Sequence, residues 1–196
     1  MVDSALLKKE YKSGRRFSYA DYAAWELDEG ERYELIYGEA YALAAPSANH
    51  QLILGEVFKQ LAVFFTGKPC KVYPAPYDVR LFYEDDDSDD TVVQPDISVV
   101  CDKAKRGEEG CRGAPDLIVE ILSPSNTAIE MHRKYELYRQ AGVREYWIID
   151  PDHKTLHAYR FDNGTIFPRT WHAHDSAKTD MFPGLVIEME PVFDQE

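Results

Sequence analysis

The stretch "APDLIVEILSPSN" at 114–126 constrains the fold more than any other part of the chain. Side chains alternate along a strand, so Leu117, Val119 and Ile121 fall on one face and Ile118, Glu120 and Leu122 on the other. Both faces are apolar except at Glu120. A strand with two apolar faces is covered on both sides, as at the centre of an α/β sheet, and this sends one carboxylate towards the interior. An ionised carboxylate buried without a partner costs several kcal/mol, so the fold must bring a cation or hydrogen-bond donors to it. A structural salt bridge would satisfy that demand, and so would a functional site.

The segment that follows offers the cation. After Pro124 the pattern changes to a helix from about Thr127 to Ala141, with Gly142 at the C-terminal cap. At about 100° per residue, with Met131 as zero, Leu137, Ala141, Tyr138 and Tyr135 fall between roughly 240° and 40°. His132, Arg133, Glu136, Arg139 and Gln140 occupy the opposite, solvent-facing arc. Lys134 lies inside the apolar arc and is the only basic side chain of this helix pointed that way. A snorkelling lysine, its stem on apolar surface and its ammonium in water, is the ordinary explanation. An inward glutamate on a central strand, followed by an inward lysine on the next helix, suggests instead that the two charges meet.

The rest of the pattern is helix, hairpin, helix, strands, helix, strands. "FSYADYAAWELDEG" reads as a short helix from a Ser18 cap to Gly30, and "RYELIYGEAYALA" as a hairpin turning at Tyr37-Gly38. Leu54, Val57, Phe58, Leu61 and Phe65 recur at helical spacing in "PSANHQLILGEVFKQLAVFFTGKP", which ends at Gly67 and Pro69. "CKVYPAPYDVRLFY" and "TVVQPDISVV" are strand-like, "REYWIIDPDHKTLHAYRF" reads as two strands about an Asp-Pro turn, and the tail adds further strands. We see no internal repeat and no linker, and expect one domain over 1–196.

Composition limits the function classes. The net charge of −13 opposes a nucleic-acid partner, which usually requires a basic surface. Nearly half of that charge, however, sits in the single run "EDDDSDD" at 84–90, where packed like charges predict a solvated loop. Local basic patches remain at "KSGRR", at Lys103, Lys105 and Arg106, and at Arg133, Arg139 and Arg144. No segment reaches the length of a membrane span and the N-terminus lacks a signal-peptide core, so the expected location is cytoplasmic. Cys70, Cys101 and Cys111 form no CxxC pair, and their odd number predicts reduced thiols.

A second acid complements Glu120. Pro95 cannot donate a ladder hydrogen bond, which places it at a strand entry, an edge or a bulge, with Asp96 beside the core. A strand-entry turn explains Asp96 taken alone. Together, two carboxylates and an ammonium at a sheet edge suit Mg²⁺ or Mn²⁺, hard cations that take oxygen ligands, activate water and neutralise phosphate charge. The lysine would orient or deprotonate the attacking water, or stabilise the developing oxyanion.

"YELIYGE", "QPDISVV", "VEILSPSN" and "KYELYRQAGVREYWIIDP" resemble, in order and spacing, the Uma-type family of endonucleases, a branch of the PD-(D/E)XK nuclease superfamily. The resemblance covers about residues 15–190. It implies a restriction-endonuclease-like α/β/α sandwich with a mixed central sheet, here with an N-terminal helix and hairpin extension. Asp96 matches the Asp of the PD motif and Glu120 the acid of the (D/E)XK motif. Leu122 stands at the usual lysine position, and Lys134 matches the lysine that this branch carries on the following helix. Glu34 matches a further acid of the metal site, and the Ile121 carbonyl is an additional oxygen donor. Glu130 stands where relatives carry Asp, although "TAIE" at 127–130 also fits a capping box. His50, near a helix start, lies within reach of the site as an accessory group, though a capping or packing role accounts for it. The implied activity is metal-dependent hydrolysis of DNA, and a homodimer is expected on separate grounds, since two-fold assemblies are the commonest and two sites serve two strands. A nuclease-fold binding or assembly protein without chemistry is the alternative, and a glycosidase-like carboxylate pair would leave Lys134 without a role.

Overall fold

The computed structural model describes residues 2–3, 15–124 and 126–194. Strand β1 (Val2–Asp3) pairs in parallel with β2 (Trp25–Glu26). Between them α1 (Tyr19–Ala23) begins at a reciprocal capping box of Ser18 and Asp21. This helix was expected to reach Gly30 but stops at Ala23. Trp25 instead packs its ring against Phe17, Tyr22 and Tyr33 at centroid distances of 5.3, 5.0 and 5.9 Å, a tertiary contact that outweighs helix propagation.

The hairpin β3 (Tyr33–Ile36) and β4 (Glu39–Ala42) forms as expected about Tyr37 and Gly38, both at positive φ, the conformation a two-residue turn of this hand requires. A Cβ at residue 38 would also stand 2.9 Å from that of Arg16. Helix α2 (Ala48–Phe65) starts at a Ser47 cap and buries Ile53, Val57, Leu61 and Phe65. The chain continues through β5 (Lys71–Pro74), β6 (Val79–Arg80), β7 (Val92–Val93), β8 (Ile97–Val100), β9 (Cys111–Arg112) and β10 (Leu117–Ile121). Helix α3 (Ala128–Ala141) leads into β11 (Glu145–Asp150), β12 (Thr155–Asp162), β13 (Thr165–His172), β14 (Ser176–Lys178), β15 (Val186–Glu188) and the short α4 (Glu190–Phe193).

The central sheet has the order β13-β12-β11-β10-β8-β5. It is mixed: β10 and β11, joined through α3, run parallel, and every other neighbouring pair is antiparallel. Leu117, Val119 and Ile121 pack with the α2 residues on one face, whereas Ile118 meets Leu137 and Tyr138 of α3 on the other. The alternation read from the sequence is therefore the alternation of the two cores, and Glu120 faces the α3 side. The hairpin is not a free extension, because β3 pairs with β7 in a second sheet of order β4-β3-β7-β6-β9.

Two other expectations change. The acidic run is folded rather than solvated at its end: Asp89 is buried against the Arg80 guanidinium, which also pairs with Asp87, and the Asp89 and Asp90 carbonyls accept from Tyr19 and Gly38 N–H. One buried arginine offsets the repulsion that the run predicts. Cys70 and Cys101 form a disulfide at the ends of the paired strands β5 and β8, leaving Cys111 as a free, buried thiol. The cysteine part of the case for a reducing compartment therefore falls away, since such bonds are rare there. Among the described residues no helix is long and apolar enough to cross a membrane.

Glu145 gives a stability expectation. It is buried and accepts hydrogen bonds from Trp147 Nε1 and Thr179 Oγ1, and burial holds its carboxyl above the ordinary value. The folded state keeps a proton that the unfolded chain has released. The group is therefore neutral in effect below the unfolded value and costs stability as pH rises above it. Glu145→Gln is expected to gain stability relative to wild type as pH rises above the unfolded glutamate value of about 4.3, as read by urea unfolding. A difference independent of pH would contradict this.

Candidate functional site

All seven residues singled out in the sequence line one cavity of about 1280 Å³ between the hairpin, the start of α2, the ends of β8 and β10, and α3. Asp96 enters just before β8, where the Pro95 break lets its side chain reach across to β10. Its Oδ2 accepts from the Ile121 backbone N–H at 2.7 Å and lies 3.2 Å from His50 Nε2. Glu120 Oε1 accepts from Lys134 Nζ at 2.9 Å and from the Tyr138 hydroxyl at 2.6 Å. Glu34 Oε1, on β3, accepts from the same Nζ at 3.0 Å and from the Gln94 backbone N–H at 3.0 Å. The predicted meeting of Glu120 and Lys134 is thus observed, and Glu34 joins it.

A common pattern holds for the three carboxylates. One oxygen of each is held by two donors, while Asp96 Oδ1, Glu120 Oε2 and Glu34 Oε2 take no protein hydrogen bond among the described residues, and none of these is sealed from solvent as a buried orphan. Three anchored carboxylates that each keep one open oxygen on a shared cavity are a hard donor set. That set fits Mg²⁺ or Mn²⁺, which bind through a few carboxylates and retain several waters. Among the described residues no three His, Cys, Asp or Glu side chains are already gathered closely enough to hold a metal ion together.

Electrostatics assign the protons. Burial pushes the Glu120 carboxyl up to about 7; Lys134 opposes this, and Asp96 and Glu34 reinforce it. Burial alone would strip Lys134 of its proton, but Glu120 and Glu34 outweigh it and hold the amine well above its ordinary value. The two carboxylates therefore favour the ammonium form of Lys134. One ammonium cannot offset three carboxylates, and a second cation in the cavity would relieve the remaining repulsion.

Other positions resolve differently. Glu130 lines the cavity but is engaged in the capping box, its Oε2 accepting from Thr127 N–H at 2.8 Å while its own N–H donates to Thr127 Oγ1 at 3.2 Å. Thr127→Ala should cost about 1 kcal/mol of stability, and neither it nor Glu130→Ala should change Mn²⁺ affinity by calorimetry. His50, which a capping or packing role could have explained, bonds Asp96 directly, and burial opposes its protonation while the Asp96 carboxylate outweighs burial and raises its pKa. Leu122, at the usual lysine position, packs against the α3-side core. Two contributors escaped the sequence reading, Tyr138 and the Gln94 backbone. Tyr138 was findable, since it lies one turn beyond Lys134 on the same face; the Gln94 N–H carries no side-chain signature. Most of the basic patches are committed: Arg139 to Glu136, Arg144 to Asp116, Arg15 to Asp21, and Arg106 to the Pro69 and Cys101 carbonyls. Arg133 sits over the Tyr41 ring at 4.7 Å, and both line the cavity.

A mixed sheet between helices, with acids and a lysine gathered at the end of its central strands, defines a nuclease-like α/β fold of the restriction-endonuclease kind. The fold matches a crystal structure from Anabaena variabilis described as a "putative nuclease belonging to DUF820", with a TM-score of 0.69, 20% identity, and coverage of 90% of this chain and 97% of that one. The chain belongs to the family described as "Uma2: Putative restriction endonuclease", whose model matches residues 19–190. Two uncharacterised proteins of Synechocystis sp. are similar along much of their length. One is 25% identical over 162 residues, covering 82% of this chain and 83% of the relative, and the other is 27% identical over 134 residues, covering 67% and 73%.

Proposed function

We propose that the protein is a divalent-metal-dependent endonuclease that hydrolyses DNA phosphodiester bonds. The observation that carries this reading is that Glu120 and Glu34 share the Lys134 ammonium while Asp96, held by the Ile121 N–H and His50, lines the same cavity. Asp96 and Glu120 would hold Mg²⁺ or Mn²⁺, with Glu34 and the Ile121 carbonyl as further oxygen donors. A cation so held lowers the pKa of bound water and neutralises phosphate charge. Lys134, kept protonated by its two carboxylates, orients the nucleophile and donates to the charge that develops on the phosphoryl oxygens, and does not remove a proton. Tyr138 and the Ile121 and Gln94 N–H groups fix the carboxylates, which keeps reorganisation during the reaction small.

The test is nicking of supercoiled plasmid with Mg²⁺, Mn²⁺ or EDTA, comparing wild type with identically prepared Asp96→Asn. Cleavage that requires metal and disappears in the variant supports the reading, and equal cleavage by both proteins rejects the site. The direct Lys134 bridge between Glu34 and Glu120 favours the second reading, a nuclease-fold binding or assembly protein whose acids only stabilise the fold. Absence of cleavage on any nucleic acid by a folded protein selects it. The working unit we propose is a cytoplasmic, single-domain homodimer, since two sites serve the two strands of a duplex. Sedimentation across a concentration series tests the dimer.

A further inference from the structure

We infer that His50 is a positioning residue that aims the open oxygen of Asp96 into the cavity. This rests on the metal-dependent reading above and assigns the group that prepares one of its carboxylates. His50 lies in the first turn of α2, where its own N–H is taken by the Ser47 cap at 3.2 Å, so the ring's place is set by the start of the helix. The residue is 8% exposed. Nε2 is 3.2 Å from Asp96 Oδ2, and among the described residues the buried Nδ1 has no hydrogen-bond partner. An ionised carboxylate only accepts, so Nε2 is the nitrogen that carries a proton and donates to Asp96.

Oδ2 receives a second donor, the Ile121 N–H at 2.7 Å. With two donors from different elements on one oxygen, rotation of the carboxylate about its last bond would break both. The plane of the group is therefore fixed, and Oδ1 is the oxygen left to face the cavity. The backbone donor comes from β10, the strand that carries Glu120, and the imidazole comes from α2 on the opposite face of the sheet. His50 thus ties α2 to the geometry of the acids. Histidine and carboxylate pairs of this kind usually have the histidine on the metal and the carboxylate behind it; here the order is reversed, with the same consequence for ligand orientation.

The amide of Gln places a donor near the Nε2 position of His, whereas Asn places one near Nδ1 and Leu supplies none. Mn²⁺ binding to the intact protein, measured by electron paramagnetic resonance without DNA, separates these cases. We expect His50→Asn and His50→Leu to weaken Mn²⁺ binding about 10–100-fold, His50→Gln to recover most of it, and the metal concentration for half-maximal nicking to rise while the rate at saturating Mn²⁺ changes little. Wild-type affinity in His50→Asn or His50→Leu overturns the inference, as does an equal loss in His50→Gln. Failure of both His50→Asn and His50→Leu to fold, by circular dichroism, assigns His50 to the core and overturns it as well. A wild-type protein that binds no Mn²⁺ rejects the metal-dependent reading itself, and this inference with it, an outcome distinct from the others.

Discussion

Asp96→Asn and Glu120→Gln are each expected to lower metal-dependent nicking by about 10³-fold or more while the fold survives. A ligated divalent ion supplies several kcal/mol of transition-state charge stabilisation, and each 1.36 kcal/mol is a factor of ten in rate. Both substitutions preserve shape. An amide oxygen at 120 still accepts from Lys134 and Tyr138, and an amide oxygen at 96 still accepts from the Ile121 N–H and His50. Glu120→Gln should in addition match or exceed wild-type thermal stability in EDTA. It removes a charge that burial disfavours, and sites built for function commonly sacrifice stability in this way. Full activity in both variants would remove these residues from the reaction. A collapse of Tm in Glu120→Gln would mean that the ionised carboxylate is a structural partner of Lys134 first.

Lys134→Met separates charge stabilisation from metal binding. Turnover should fall about 10²–10³-fold, the usual loss when one preorganised donor to developing charge is removed. Mn²⁺ affinity should stay the same or tighten, because the ammonium that competes for Glu34 and Glu120 is gone. Without metal the two carboxylates lose their shared cation, and breaking a pair this well buried should cost about 3–5 kcal/mol, a loss that Mn²⁺ should restore. Unfolding in EDTA and in Mn²⁺, together with the metal titration, reads all three effects. Parallel losses of turnover and metal affinity would show that Lys134 is a structural residue.

The Glu120–Lys134 pair at the centre of the candidate site was legible in the sequence because both residues sit on regular elements. Period two placed Glu120 opposite Leu117, Val119 and Ile121, and period 3.6 turned Lys134 inward; each follows from backbone geometry alone. The Ser18, Ser47 and Thr127 caps, the Tyr37-Gly38 turn and the Gly142 cap are local in the same sense. Three expectations failed where distant residues intervened. The helix at Tyr19 is cut short by an aromatic cluster that reaches Tyr33, the acidic run is drawn in by Arg80, and Cys70 meets Cys101 from 31 residues away. No propensity or charge count within a short window contains such information.

The amino-acid sequence by itself determined the two-faced central strand, the amphipathic helix behind it, and therefore a carboxylate and an ammonium directed at the same layer. Only the tertiary structure decided that Glu34, on a hairpin of the second sheet, shares that ammonium, and that His50, from the far side of the central sheet, holds Asp96. The reason is one of range. Hydrophobic periodicity acts within one element and is written into adjacent residues, whereas the pairing of a lysine with a glutamate 100 positions away depends on how two sheets and two helices close over a common core.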